Sequence, residues 1–123
     1  MKILDTNFIF SLLNKADINH KKAADIFLGL DEDVDLKVPY IVAAELAISR
    51  KGSYLVSIAR KISKRFVSST EKDLEFIESM PYDIRKKIKS NDCLILAICK
   101  RNNAQLITFD KNLSKVLHNL QSF

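Results

Sequence analysis

Apolar and polar positions fall in short blocks along the chain, and the period of the blocks changes in a regular order. Ile3 and Leu4 form an apolar run that stops at Asp5, Thr6 and Asn7. Residues 2–4 are therefore expected to be a buried strand, and Phe8 to Leu13 a short apolar helix that Thr6 and Asn7 open. Ala23, Ile26, Phe27 and Leu30 fall at i, i+3, i+4 and i+7, which predicts a helix beginning at His20. The acidic run from Asp31 to Asp35 reads as a surface loop. Leu36 to Val38 is a second expected strand, stopped by Pro39, which restricts the residue before it. A helix from Tyr40 to about Arg50 follows, with Pro39 at its start.

From Ser53 to Lys64, Leu55, Ile58, Ala59 and Ile62 share one helical face, while Arg60, Lys61 and Lys64 occupy the other. Phe66 to Ser68 is a third expected strand. Thr70 to Met80 is a helix whose early Glu71 and Asp73 suit its dipole, and Pro81 ends it. The run from Cys93 to Cys99 is apolar all round, the mark of a buried helix. That helix is expected from Asn91 to Arg101, with Ser90 as its N-cap. Ala104 to Phe109 is a fourth strand ending in Asp110. Asn112 to Leu117 is a helix, and Leu120 to Phe123 a short last strand.

Strands that alternate with helices imply an α/β fold with a mostly parallel sheet of four to five short strands, covered on both faces. With two Gly and two Pro, no linker and no repeat, the expectation is a single domain over residues 1–123. Right-handed crossovers place the carboxyl ends of the strands on one edge. Open α/β sheets bind ligands at that edge. The topology thus brings Asp5 and Asp110 together.

Composition adds two restrictions. No apolar run approaches the roughly 20 residues of a membrane span, and Asp5 interrupts any signal-peptide core, so the cytoplasm is the expected compartment. Cys93 and Cys99 lie on different faces of one helix and have no His or Cys partner at zinc spacing, which makes them buried thiols. The net charge of +5 is uneven: Arg50 to Lys89 holds eleven Lys/Arg against five Asp/Glu, and the remainder nine against ten. A basic middle suits a polyanion such as nucleic acid, or a solubilising surface. Arg60, Lys61, Lys64, Arg65, Arg85, Lys86, Lys87 and Lys89 are the candidate phosphate contacts.

Fifteen acids are present, and four stand outside the surface pattern. Asp5 follows a buried strand. Glu45 is the sole charge between Tyr40 and Ile48, on the stripe expected to face the core. Asp92 sits in the first turn of the buried helix, and Asp110 ends the fourth strand. An uncompensated carboxylate on an apolar face costs several kcal/mol or takes up a proton. Four acids at one edge suit a hard divalent cation, Mg²⁺ or Mn²⁺, and such sites hydrolyse phosphodiesters. Each acid also has a structural role open to it. Asp5 can cap a helix, Asp92 can favour a dipole, Asp110 can close a turn, and Glu45 can pair with a distant Arg.

Four motifs carry a family resemblance. Ile3 to Ile9 (Ile-Leu-Asp-Thr-Asn-Phe-Ile), Pro39 to Leu46 with its internal Glu45, Asn91 to Ala97, and Leu106 to Asp110 appear in the order and spacing of the PIN domain. The chain most resembles the small VapC-like ribonuclease toxins. Each motif is weak alone; the set is specific and spans essentially the whole chain. The resemblance implies a three-layer, Rossmann-like α/β/α fold and Mg²⁺- or Mn²⁺-dependent endoribonuclease activity. It further implies a homodimer and a cognate antitoxin. Asp5 and Asp92 would be the principal metal ligands, with Glu45 and Asp110 completing the cluster directly or through water. Thr6, Asn7 and Thr108 match its supporting polar positions. One position departs: many relatives carry a further acid where this chain has Asn112, which bears on a second metal. Phe8, Phe10 and Leu12 are candidates for an antitoxin groove or for the core.

Three other readings compete. A catalytically inactive PIN scaffold would bind RNA or protein without cutting. A receiver-like signalling domain needs paired acids after the first strand and an Asp ending the third, which this chain lacks. A nucleotide-binding domain would need a Gly-rich loop after the first strand, also lacking.

Overall fold

Lys2–Leu4 forms strand β1, and Ile3 and Leu4 are fully buried because the strand lies between two others. The computed structural model describes residues 1–121. In it β2 (Leu36–Lys37) and β3 (Gln105–Ile107) flank β1, both parallel to it, in the order β2-β1-β3. Lys2 stands opposite Leu36 on one side and Gln105 on the other, and Leu4 opposite Ile107.

Parallel neighbours need long crossovers, and helices supply them. Between β1 and β2 run α1 (Thr6–Leu13) and α2 (His20–Leu28). Between β2 and β3 run α3 (Tyr40–Ala47), α4 (Gly52–Ile62), α5 (Glu71–Ser79), α6 (Tyr82–Arg85) and α7 (Ser90–Arg101), and α8 (Lys111–Gln121) follows β3. Helix α1 packs on α2 and α3, and α3 on α4; α5 packs on α7, and α7 on α8. The helices thus pack in two groups, in keeping with a parallel sheet covered on both faces. The all-apolar run of α7 is buried as expected, Ile95, Leu96, Ile98 and Cys99 completely. Each such side chain contributes about 1.5–3 kcal/mol through burial. No helix among the described residues is long and apolar enough to cross a membrane.

The sheet has three strands among the described residues, where four to five were expected. The Phe66–Ser68 segment makes a single parallel bridge: Val67 N donates to Val38 O (2.9 Å), and Tyr40 N donates to Val67 O (2.8 Å). Pro39, between them, has no N–H to extend a ladder, and Ser68, Ser69 and Thr70 are exposed with nothing to bury. Strand β3 ends two residues early because Thr108 and Phe109 turn to bond side chains of the first helix. Leu120 lies in α8 rather than in a last strand, since Leu113, Leu117 and Leu120 continue one buried helical stripe. The rest of that expected strand, Ser122 and Phe123, lies outside the described residues. Ser90 is the first residue of α7 and makes no side-chain cap; Lys89 holds the N-cap position in extended conformation.

One tight joint orders the α3–α4 corner. A Cβ at Gly52 would stand 2.0 Å from the carbonyl oxygen of Ala47. Gly52→Ala is thus expected to lower stability by about 1–3 kcal/mol through overpacking, read as an earlier midpoint in urea unfolding with an unchanged slope.

Candidate active site

Asp5 ends β1 in extended conformation and begins α1 as its N-cap. One carboxylate oxygen, Oδ1, accepts the Thr6 backbone N–H at 2.8 Å. The other, Oδ2, accepts the Thr108 hydroxyl at 2.7 Å, across 103 positions of sequence. The Thr108 oxygen in turn accepts the backbone N–H of Asp110 at 3.0 Å. Asn7 Oδ1 accepts the backbone N–H of Phe109 at 3.1 Å. The end of β1 and the end of β3 are therefore stitched together by side chains where the ladder stops. Asp110 caps α8, its Oδ1 accepting the N–H of Leu113 at 3.1 Å.

Glu45 on α3 and Asp92 on α7 are half-buried and line one cleft of about 540 Å³ with Lys89, Ser90 and Asn91. Asp5 is the shared neighbour of the group. Burial raises its carboxyl above the ordinary range, the Thr108 and Thr6 hydrogen bonds oppose that, and the charge of Asp110 adds to it. Burial likewise raises Glu45; the Thr6 hydroxyl and Asn91 favour its charge, while Asp5 and Asp92 oppose it. Asp92 is raised by burial, then by Asp5 and Asp110, against the nearby Lys89. The structure thus brings all four predicted acids to one edge, where they act on one another.

The eight candidate phosphate-binding cations do not all share that edge. Lys89 lines the cleft. Arg85 and Lys86 lie 5.8 and 5.6 Å from the Tyr82 ring centre, and Lys86 also stands 3.7 Å from Asp83. Arg60 lies over Phe66 at 5.7 Å, while Lys61, Lys64, Arg65 and Lys87 are exposed.

Two expectations need correction, and one pair of alternatives resolves. The stripe of Glu45 faces the core only in part: Ile41, one turn before it, packs partly buried against the core, while Ile48, three residues after it, is 88% exposed. Phe8, Phe10 and Leu12 take the core role rather than the groove: Phe8 is wholly buried with its ring centre 5.7 Å from that of Phe109, and Phe10 and Leu12 pack partly buried against the core. The set of non-surface acids was incomplete. Asp73 is 1% exposed, held by Arg101 through Nε–Oδ1 at 2.9 Å and a second nitrogen to Oδ2 at 3.2 Å. Its Oδ2 also accepts the Thr70 N–H at 2.8 Å. Asp73 is structural and remote in role from the four. Asn91 is a site residue that sequence reasoning passed over, although it precedes Asp92 in the third motif.

Both cysteines are free and buried. Burial, with Asp5 nearby, pushes the Cys99 thiol up to about 12, so it stays protonated and unreactive. His20 is structural, its Nδ1 lying 2.9 Å from the Ser11 carbonyl oxygen.

The donor set fits a hard divalent cation. It offers carboxylate oxygens that repel one another, with the buried Thr6 hydroxyl beside Glu45. Among the described residues no three acidic, His or Cys groups lie together closely enough to hold a metal ion by themselves. Mg²⁺ typically takes one or two carboxylates and completes its shell with water and substrate phosphate.

A PIN domain family model matches residues 2–118. The fold is similar to VapC20 of Mycobacterium tuberculosis, a Sarcin-Ricin loop cleaving toxin, with TM-score 0.72 and 20% identity, covering 94% of this chain and 95% of that one. It is similar to FitAcB from Neisseria gonorrhoeae, with TM-score 0.73 and 20% identity over 96% and 94% of the two chains. It is also similar to VapBC2 from Rickettsia felis bound to a promoter DNA fragment, with TM-score 0.69 and 20% identity over 93% and 91%. No curated protein is significantly similar in sequence.

Proposed function

The chain belongs to the PIN domain family, and from that premise we propose that it is a metal-dependent endoribonuclease, the toxin of a toxin–antitoxin pair. The observation that carries the reading is Asp5 fixed between the Thr6 N–H and the Thr108 hydroxyl, with Glu45, Asp92 and Asp110 acting on it at the sheet edge. The likeness to VapC20, a Sarcin-Ricin loop cleaving toxin, supports the substrate class.

In this mechanism Asp5 and Asp92 would be the principal ligands of Mg²⁺ or Mn²⁺, with Glu45 and Asp110 completing the site directly or through water. The chemistry that such an ion would supply when bound is activation of water and neutralisation of charge at the scissile phosphate. Thr108 holds the Asp5 carboxylate in one orientation. Asn7 fixes the segment that carries Thr108 and Asp110 against α1. Asn91 favours the charged form of Glu45, which is the form able to accept a proton from water. Lys89, beside Asp92, is placed to meet an RNA phosphate. Asn112 is exposed and lines a different hollow with Asp83, Ile84 and Lys87, so it adds nothing to the site.

On this reading the protein acts in the cytoplasm, as a homodimer controlled by an antitoxin; the likeness to VapBC2 and FitAcB supports a two-protein system. A second reading, a PIN scaffold that binds RNA without cutting, draws on the finding that no three such groups among the described residues lie together as a metal site. Cleavage of a labelled RNA by purified protein separates the two. Products are expected with Mn²⁺ or Mg²⁺, none after EDTA, and recovery on adding the metal back. Binding without products at saturating Mn²⁺ establishes the scaffold reading instead.

A further inference from the structure

A second hollow of about 540 Å³ adjoins the acidic cleft, and Ser90 lines both. Its walls are largely apolar: Leu74 and Ile77 of α5, Tyr82 of α6, Ile88, and Cys93 and Leu94 of α7. Tyr82 is 66% exposed and Leu74 49%. Arg85 and Lys86 form the rim, both within 6 Å of the Tyr82 ring centre. Four cations fall between Arg85 and Lys89. The Lys86–Asp83 pair is largely exposed and worth little, which leaves Lys86 available to another anion.

Resting on the nuclease reading, we infer that this hollow receives one unpaired base of an RNA strand whose neighbouring phosphate lies over the carboxylates. Tyr82 is the stacking wall, and Arg85 and Lys86 hold the backbone on either side of the base. The apolar walls match the faces of a nucleobase, and the basic rim matches the phosphates that flank it. A paired base keeps its faces inside the stack and cannot enter. The site therefore selects single-stranded or looped RNA. Charge favours this occupant over an apolar protein segment, which would leave the rim cations unmet.

Binding in EDTA tests the inference without requiring cleavage. The probes are a labelled single-stranded RNA of mixed sequence and its blunt duplex, followed by fluorescence anisotropy. The single strand is expected to bind more tightly. Tyr82→Ala is expected to weaken it by about tenfold, the order seen when a base-stacking side chain is removed, with duplex binding unchanged. Tyr82→Phe should bind like the parent, and Leu74→Trp, which plugs the hollow from an exposed position, should weaken binding like Tyr82→Ala. Unchanged affinity in both Tyr82→Ala and Leu74→Trp, each confirmed folded by circular dichroism, overturns the inference even if the parent cuts RNA. So does a Tyr82→Ala variant that changes oligomeric state while binding RNA normally. Loss of single-strand affinity in a protein that never cuts supports the hollow and removes the nuclease reading alone.

Discussion

Asp5→Asn is expected to abolish RNA cleavage while leaving the protein folded and more stable. The amide is nearly the same shape as the carboxylate and caps a helix as well, so its oxygen can still accept the Thr6 N–H. What disappears is the charge that binds the cation, whose contribution of several kcal/mol corresponds to a rate loss of about a thousandfold or more. The stability gain follows from the electrostatics. Burial and Asp110 hold the Asp5 carboxyl above its ordinary range, so the ionised form costs the fold stability. Glu45 and Asp92 are raised too. A raised acid binds more protons folded than unfolded, so stability must fall as pH rises from about 4 through the raised values. Metal-free protein should show that decline in thermal melts, Mg²⁺ should reverse it, and Asp5→Asn should flatten it. Wild-type cleavage by Asp5→Asn, or a melting temperature below the parent's, would count against this account.

Arg101→Met is expected to be the most damaging single change outside the cleft. It strands Asp73, whose side chain is 1% exposed, and removes the bond from Arg101 to the Ser68 carbonyl oxygen at 2.8 Å. Breaking a buried pair from one side costs about 3–5 kcal/mol. The Arg101 side chain is itself 28% exposed, which points to the lower end. Even so, that is a large share of a domain's roughly 5–15 kcal/mol. Asp73→Asn combined with Arg101→Met should recover part of the loss, because no charge is then left in the core. The four variants of that double-mutant cycle, unfolded in urea, give the coupling directly. Strictly additive losses would show that the pair does not act as a unit.

The difference between Asp5 and Asp73 shows how far one sequence could be read. Asp5 was legible because a strand-ending acid before a helix announces its place in a parallel sheet. Asp110 followed from the same rule, and Asp92 from the all-apolar helix it begins. Asp73 sits in a first turn like many surface acids, and nothing local tells that Arg101, 28 positions on, will fold over it. Glu45 was identified for a partly mistaken reason: it borders the cleft, while Ile48 points to solvent. The Val67 bridge fell short of a strand because Pro39 leaves no donor to continue it, and that limit was visible in Pro39 itself. The eight cations could be listed but not sorted, since only tertiary packing decides that Lys89 faces the carboxylates and Arg60 covers Phe66.

The bond between Thr108 and Asp5 spans 103 positions, and β1 gains its β3 neighbour only when residues 105–107 arrive. During synthesis the amino-terminal motif leaves the ribosome long before its partner exists. Until then the Asp5 carboxylate has no hydroxyl to hold it, and Asp110 has not been made. On the nuclease reading, a growing chain therefore carries no assembled centre while it sits against ribosomal RNA, and a fragment released before residue 105 would lack the hydroxyl that orders Asp5.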